Sequence, residues 1–244
     1  MCITSGRSNP LAGRKSDELL LALLERTRTS QKTSVEDLAT ATRSSLGTAK
    51  DMVEGLANAG TLTLEDSTIV VSYQNRINLA LEAIIKGVDL ERVCRALGFR
   101  EFEDIMAEAF RANGFETYTR FLLRHANKRY EIDLVGRRGF TALCVDCKHW
   151  RRGLSRGRLS QAVKKQIERT EILVKEIEKY RTKLHIPLKH KTFFIPIVLT
   201  LVDTENRMIE QVPVVSVLRL RSFLQEFDLH LDRLRLTELK PSRN

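Results

Sequence analysis

The sequence lacks the features that build a secreted scaffold or a membrane protein. Its four cysteines are too few for a disulfide framework in 244 residues, which favours a reducing compartment. Residues 1–15 contain no apolar segment of the kind that a secretory signal needs. The longest apolar run, residues 193–202, is too short to cross a bilayer and is interrupted by Pro196. We therefore expect a soluble, cytoplasmic protein without membrane contact.

Acidic side chains are fewer than basic ones. The chain has 41 lysines and arginines against 31 aspartates and glutamates, which gives a formal net charge of +10. A balance of this kind favours a polyanionic partner such as nucleic acid over an acidic small substrate. The length allows one large domain or two small ones, with ample core for either.

Three short helices and a β-hairpin are predicted for residues 16–73. Ser34 is placed to cap the second helix, and the third helix extends from Leu46 to Ala59, before Gly60 ends it. Residues 61–73 alternate as two strands about an acidic turn. This order resembles a winged helix-turn-helix, and the residues before it are expected to form a flexible tail over positions 1–15.

The third helix would be the recognition helix of such a domain. Lys50 lies on its expected exposed side and is our candidate DNA contact, but Asp51 and Glu54 accompany it. Because winged helices also serve as protein-interaction modules, contact with DNA and contact with a protein both stay open.

No Gly-, Ser- or Pro-rich linker follows this first domain. Residues 74–98 show helical apolar spacing and are predicted to be a helical connector. The patterns in residues 99–230 predict a helix, three strands, a long helix over residues 159–183, two strands and a helix. That order gives an α/β domain with a mixed sheet flanked by helices. Residues 231–244 are predicted to be a polar tail.

Two carboxylates and a lysine are predicted to converge in residues 130–150. Two strands joined by a tight turn are expected there. Alternation puts Glu131 and Asp133 on one face of the first strand, and Asp146 and Lys148 on one face of the second. Because Asp146 and Lys148 follow an apolar run that leads into the core, they need an ionic partner or a metal ion.

The helix that precedes these strands carries a further acidic candidate. Its apolar stripe, which includes Phe102, places Glu103 at one edge. Glu101 lies nearly as close to the opposite edge, so helical geometry alone does not choose between the two glutamates.

A basic segment follows the second strand. Residues 151–165 contain six cationic side chains and no acidic one, whereas a solvated loop normally has mixed charge. We predict that this segment binds phosphate groups. Its cationic residues are Arg151, Arg152, Arg156, Arg158, Lys164 and Lys165.

Residues 99–150 resemble the PD-(D/E)xK nuclease superfamily, and within it the Mrr-type restriction endonucleases and the archaeal Holliday junction resolvases. The resemblance is carried by Phe102-Glu103, by Ile132-Asp133-Leu134 and by Val145-Asp146-Cys147-Lys148. It selects Glu103 over Glu101. The chain departs from the commonest pattern because Asp146 stands where Glu is usual before x-Lys, and its shorter side chain could alter the metal geometry.

The resemblance implies a magnesium-dependent DNA endonuclease of the restriction or repair type, with manganese as an alternative ion. It makes Asp133 and Asp146 the metal ligands, together with the backbone carbonyl of Cys147. Lys148 would orient the attacking water or stabilise the transition state, and Glu103 would help to hold a coordinated water or a second ion. A homodimer is expected, since cutting both strands of a duplex usually asks for two active sites.

Three alternatives stay open. The C-x-x-C pair of Cys144 and Cys147 would bind zinc only if a turn lay between the thiols and two more ligands were near. A nuclease fold can also hold DNA without cutting it, in which case the chain is a DNA-binding regulator. RNA stays open as a substrate, since no residue recognisably contacts a 2′-hydroxyl.

Overall fold

The computed structural model describes residues 10–150 and 155–241, with side chains from residue 16 onward. The chain forms two compact units, which divide between Glu101 and Phe102. None of the helices in the described ranges is long and apolar enough to span a membrane.

The first unit combines helices with a small antiparallel sheet. Its elements are α1 (Pro10–Arg26), β1 (Lys32–Ser34), α2 (Val35–Thr42), α3 (Leu46–Asn58), β2 (Thr63–Glu65), β3 (Thr68–Val70), α4 (Tyr73–Ile85) and α5 (Leu90–Ala96). The strand order is β1-β3-β2. The expected helix starts are confirmed, since Ser34 Oγ accepts a hydrogen bond from the Asp37 N–H before α2, and Ser45 Oγ accepts one from the Thr48 N–H before α3. This order of elements agrees with a winged helix, which stays a prediction.

Two boundaries in this unit differ from expectation. Helix α1 begins at Pro10, inside the segment predicted to be a tail, because proline is tolerated in the first turn of a helix. Residues 74–98 are not a separate connector, since α4 and α5 pack against α1. Their apolar side chains, among them Ile77, Leu79 and Val93, are buried in the core of the first unit.

A buried arginine in the first unit donates hydrogen bonds to several of its helices. Arg76 on α4 is 1% exposed, and its guanidinium donates to the two carboxylate oxygens of Glu101 at 2.6 and 3.1 Å. It also donates to the Leu24 carbonyl at 2.7 Å, to the Thr27 hydroxyl at 2.5 Å and to the Ala96 carbonyl at 3.2 Å. A buried charge requires partners of this kind.

The second unit is a mixed sheet flanked by helices, as predicted. Its elements are α6 (Phe99–Ala112, whose first turn contains the division), β4 (Glu116–His125), β5 (Lys128–Arg138), β6 (Thr141–Lys148), α7 (Arg156–Lys175), β7 (Thr192–Thr200), β8 (Met208–Ile209), β9 (Val212–Ser216), α8 (Leu220–Glu226) and β10 (Thr237–Leu239). The strand order is β4-β5-β6-β7-β9-β8, and β10 pairs with β7. Strands β6, β7 and β9 are mutually parallel, so α7 is the crossover helix between β6 and β7.

The two long helices of this unit pack closely on the sheet. Leu159 and Val163 of α7 are buried with Val198 of β7, in one of the apolar clusters. Helix α6 approaches β5 so closely that a Cβ atom on Gly136 would lie 2.4 Å from the ring of Phe110. Glycine is therefore required at this position for α6 to pack as it does.

Two expectations for the later part of the chain are wrong. The helix expected over residues 159–183 ends at Lys175, and a 3-10 turn at Ile177–Lys179 keeps the apolar side chains on the core. The polar tail expected from residue 231 contains β10, which pairs antiparallel with β7. Three residues are too few to show a periodic pattern, and pairing with a distant strand determines their conformation.

Candidate active site

Strands β5 and β6 separate beside two aspartates. The described pairing of the strands ends with Leu134 opposite Val145. Beyond it, the N–H of Cys147 donates to Asp133 Oδ2 at 2.7 Å, where a regular ladder would use a backbone carbonyl. The Asp133 carboxylate therefore lies against β6, close enough to Asp146 for the charge of one to affect the pKa of the other. The predicted convergence of these strands' acidic residues is present in the structure.

Asp146 lies near the end of β6 and is 2% exposed. Its Oδ1 accepts hydrogen bonds from Lys148 Nζ at 2.7 Å and from Arg169 Nη1 at 2.9 Å. Its Oδ2 makes no hydrogen bond within the described part of the chain, but it is 2.6 Å from Lys148 Nζ and is therefore compensated in charge. One cation from β6 and one from α7 thus orient this carboxylate.

Glu103 on α6 is the buried glutamate of the second unit, whereas Glu101 is bound by Arg76 in the first. Glu103 is 1% exposed, and its Oε2 accepts a hydrogen bond from Arg120 Nη1 at 3.3 Å. Its Oε1 is buried and has no hydrogen-bond partner among the residues the structure describes. Burial, with a contribution from the charge of Asp133, raises the pKa of Glu103 to about 7.

Asp133 completes a group of three buried carboxylates. Burial and the charge of Asp146 raise the pKa of Asp133 to about 6, against the opposing hydrogen bond from the Cys147 amide. Glu131, on the same face of β5, is exposed. Burial is the main cause of both raised pKa values and the neighbouring carboxylate the second, and a bound cation would favour the ionised forms.

The two cysteines of the C-x-x-C pair are buried, and neither is suited to bind zinc. Burial raises the pKa of the Cys144 thiol to about 12. Burial and the neighbouring carboxylates raise the pKa of Cys147 well above its ordinary value. Both cysteines lie on the extended strand β6, where side chains three positions apart point to opposite faces, so no turn brings the two thiols to one ion.

The oxygen ligands fit a hard divalent cation. Over residues 10–150 and 155–241, no group of three or more His, Cys, Asp or Glu side chains is arranged as a metal site. Magnesium, however, is usually held by one or two carboxylates and keeps several waters. Asp133 and Asp146 supply two carboxylates, and in a regular strand the carbonyl of Cys147 lies on the same side as its N–H, which donates to Asp133. The unpartnered Oε1 of Glu103 is a further buried acceptor.

Of the residues predicted to contact phosphate, the structure describes all but two. Arg151 and Arg152 lie outside the described residues. Lys50, in the first unit, is exposed on α3 and lies 3.8 Å from Glu54. The cations that are exposed along the first half of α7 are Arg156, Arg158, Lys164 and Lys165.

Two arginines that the sequence did not single out contact the carboxylates. Arg120, in a left-handed conformation on β4 with φ of 51°, binds Glu103, and Arg169 binds Asp146. Gln166, one turn before Arg169 on α7, is fully buried, and neither its amide nitrogen nor its amide oxygen has a partner in the described ranges. The signal available for Arg169 was that, like Gln166, it interrupts the apolar side of α7.

A mixed sheet flanked by helices, with these acidic residues and a lysine on adjacent strands, is consistent with a restriction endonuclease-like fold. The family model for the Mrr-type catalytic domain, described as "Restriction endonuclease", matches residues 94–173. The matched part contains Glu103, Asp133, Asp146 and Lys148. The resemblance to Mrr-type PD-(D/E)xK nucleases is thereby confirmed for this part of the chain.

Comparison with individual proteins adds little to this assignment. No curated protein matches the chain. Among solved structures, protein VC1899 from Vibrio cholerae is similar over 93% of this chain and 53% of its own, with 11% identity and a TM-score of 0.38. The chain thus spans about half the length of that protein.

Proposed function

We propose that the chain is a magnesium-dependent DNA endonuclease that hydrolyses phosphodiester bonds in restriction or repair. The observation that carries the proposal is the group of three buried carboxylates, Glu103, Asp133 and Asp146, beside Lys148. Burying carboxylates at raised pKa destabilises a fold, and such a group is therefore expected where a cation and an anionic substrate must bind.

Each residue has a defined task in this proposal. Bound magnesium would lower the pKa of a water and neutralise phosphate oxygens. Asp133, Asp146 and the Cys147 carbonyl would hold the ion. Lys148 Nζ, oriented by Asp146, would face the negative charge that builds on the phosphate. Glu103 Oε1 is available to accept a proton from the attacking water, since the pKa of Glu103 is about 7.

The exposed cations of α7 support a nucleic-acid substrate, because Lys and Arg side chains neutralise backbone phosphates. We propose DNA over RNA because the matching family model is that of a restriction endonuclease. A homodimer would bring two sites to one duplex. The first unit, as a winged helix, would bind DNA or a protein partner.

A non-catalytic DNA-binding regulator is the second candidate function. The observation that favours it is the pairing of Asp146 with both Lys148 and Arg169, which already neutralises a predicted metal ligand. A protein of this kind would bind DNA and leave it intact.

Cleavage of a labelled panel tests these candidates. The panel contains linear duplex, four-way junction, flap, single-stranded and methylated DNA, and RNA, each with magnesium, manganese or EDTA. Asp146→Asn and Lys148→Met are compared with the wild type and with Lys189→Met, which removes an exposed charge in the loop before β7. Metal-dependent cutting that the first two variants abolish and the third retains would support the nuclease. Binding without cutting, unchanged in every variant, would support the regulator.

A further inference from the structure

Two arginines without an ion-pair partner in the described ranges lie at the tip of the β4–β5 hairpin. Arg124 lies directly opposite Arg129. Like charges in directly opposed positions of neighbouring strands destabilise a sheet. Within the described part of the chain, neither Arg124 nor Arg129 makes an ion pair. The hairpin therefore contains a repulsion that a bound anion would relieve.

The same arginines line a concave surface. A cavity of about 380 Å³ at the hairpin tip is bounded by Arg124, His125, Ala126, Asn127, Arg129 and Lys179. Ala126 and Asn127 adopt left-handed conformations, with φ of 45° and 62°, and form the tight turn that joins the strands. Every charged or titratable side chain in this lining is basic, as an anion site requires.

One acidic residue beside this cavity, Glu176, is already paired. Glu176 accepts a hydrogen bond from His125 Nδ1 at 2.7 Å and is paired with Lys179. Glu176 therefore does not neutralise Arg124 and Arg129, which remain exposed to solvent.

Strand β5 connects the cavity with the candidate active site. Arg129, Glu131 and Asp133 alternate onto one face, so that Arg129 lies roughly 13 Å along the strand from Asp133. One DNA strand has a phosphate for about every 3.4 Å of helix axis, so a strand cut at the active site would also reach the hairpin tip. The exposed carboxylate of Glu131 lies between the two points, and a backbone bound at both would pass it.

We propose that the hairpin tip is a second phosphate-binding site, which holds the nucleic-acid backbone a few nucleotides from the scissile bond through Arg124 and Arg129. The inference rests on the proposed nuclease function for its ligand. Guanidinium groups bind phosphate oxygens in a bidentate manner, and contacts of this type position the substrate without reading its sequence.

Binding of a fluorescent duplex of about 30 base pairs, roughly three helical turns, tests this site. Fluorescence anisotropy is measured in EDTA across a salt series. The double variant Arg124→Gln/Arg129→Gln is compared with the wild type and with Lys189→Gln/Arg221→Gln, which removes two exposed cations elsewhere in the second unit. We expect the hairpin variant to bind about tenfold more weakly or worse. The slope of log affinity against log salt concentration should become less steep by about 1 to 2 in the hairpin variant. The control variant should keep nearly the wild-type affinity and slope.

Equal affinities and equal slopes for the two double variants would overturn the proposal. Thermal unfolding tests a purely structural role for the arginines. Relief of their repulsion should leave the melting temperature unchanged or raise it, whereas a lower melting temperature with unchanged binding would mean that the arginines stabilise the hairpin and bind no phosphate.

The result is separable from that of the nuclease proposal, because binding is measured without a divalent ion. If the wild type never cuts but the hairpin variant binds more weakly, the site stands and the nuclease function falls. If the wild type cuts and the hairpin variant binds and cuts equally well, the phosphate site at the hairpin tip is overturned and the nuclease proposal is kept.

Discussion

Arg169 on α7 donates to Oδ1 of Asp146 on β6 at 2.9 Å. A cation at this distance competes with a metal ion for the carboxylate and repels it. We expect Arg169→Gln to raise the affinity for Mg²⁺ roughly tenfold, which corresponds to about 1.4 kcal/mol. Isothermal titration calorimetry without DNA measures this, with the exposed Arg111→Gln as a control for the loss of one charge. Weaker binding by Arg169→Gln would mean that Arg169 serves to position Asp146 for the ion.

Glu103 gives the folded protein an unusual dependence on pH. The pKa of Glu103 is raised from 4.5 to about 7, so its contribution to stability is fully present below pH 4.5 and is lost as the pH rises through 7. Glu103→Gln has nearly the same shape and does not ionise. In EDTA we expect it to exceed the wild type in unfolding free energy above pH 7, by up to about 3 kcal/mol.

Urea denaturation between pH 4.5 and 8 measures this difference. Glu108→Gln removes a charge from the exposed side of the same helix and is the matched control. The interpretation fails if Glu103→Gln is less stable than the wild type at neutral pH, or if the difference between the two does not change with pH.

Replacement of Gln166 by leucine is expected to raise the stability of the protein and to lower its activity. Gln166→Leu removes two buried polar atoms that have no partner in the described ranges, at similar volume. The unfolding free energy should rise by about 1 to 2 kcal/mol, while cleavage of the preferred substrate should fall. Gln161→Leu, an exposed position on the same helix, should change neither. A loss of stability in Gln166→Leu would show that an ordered water satisfies the amide.

The ion pair of Arg76 and Glu101 should behave as a buried unit. Arg76→Met leaves the Glu101 carboxylate buried without its guanidinium, and we expect a loss of about 3 to 5 kcal/mol. In the double variant with Glu101→Gln, which keeps the acceptor for the Gly98 N–H, most of that loss should be recovered. Chemical denaturation gives the cycle. The more exposed Arg95→Met is the control, with an expected change below about 1 kcal/mol; equal losses in Arg76→Met and the double variant would contradict this account.

Local patterns were sufficient for the parts of the site that lie on adjacent strands. Asp133, Asp146 and Lys148 could be placed together because alternation along a strand and a tight turn between neighbours fix their relative positions. Glu103 could be placed only at the edge of an apolar stripe, and the resemblance had to choose it over Glu101. The sequence does not show that Glu101 has a buried partner at Arg76, 25 residues earlier.

Features that depend on distant partners were not predictable. Arg169 is a polar interruption in an amphipathic helix, and its hydrogen bond to Asp146 depends on how α7 crosses the sheet. The basic cavity at the hairpin tip likewise combines Arg129 with Lys179, which lies in a different element. For such residues, tertiary contacts decide what local propensity leaves open.

Strand β7 is synthesised before two of the strands that pair with it. Its partner β6 precedes it in the chain, but β9 and β10, which cover its other side, follow it. Until residues 212–239 have left the ribosome, one edge of an apolar central strand is open, and open edges of this kind pair with other chains. A chain truncated after residue 236 would keep the candidate catalytic residues but leave β7 uncovered at Thr192–Phe194, and we expect it to aggregate during expression.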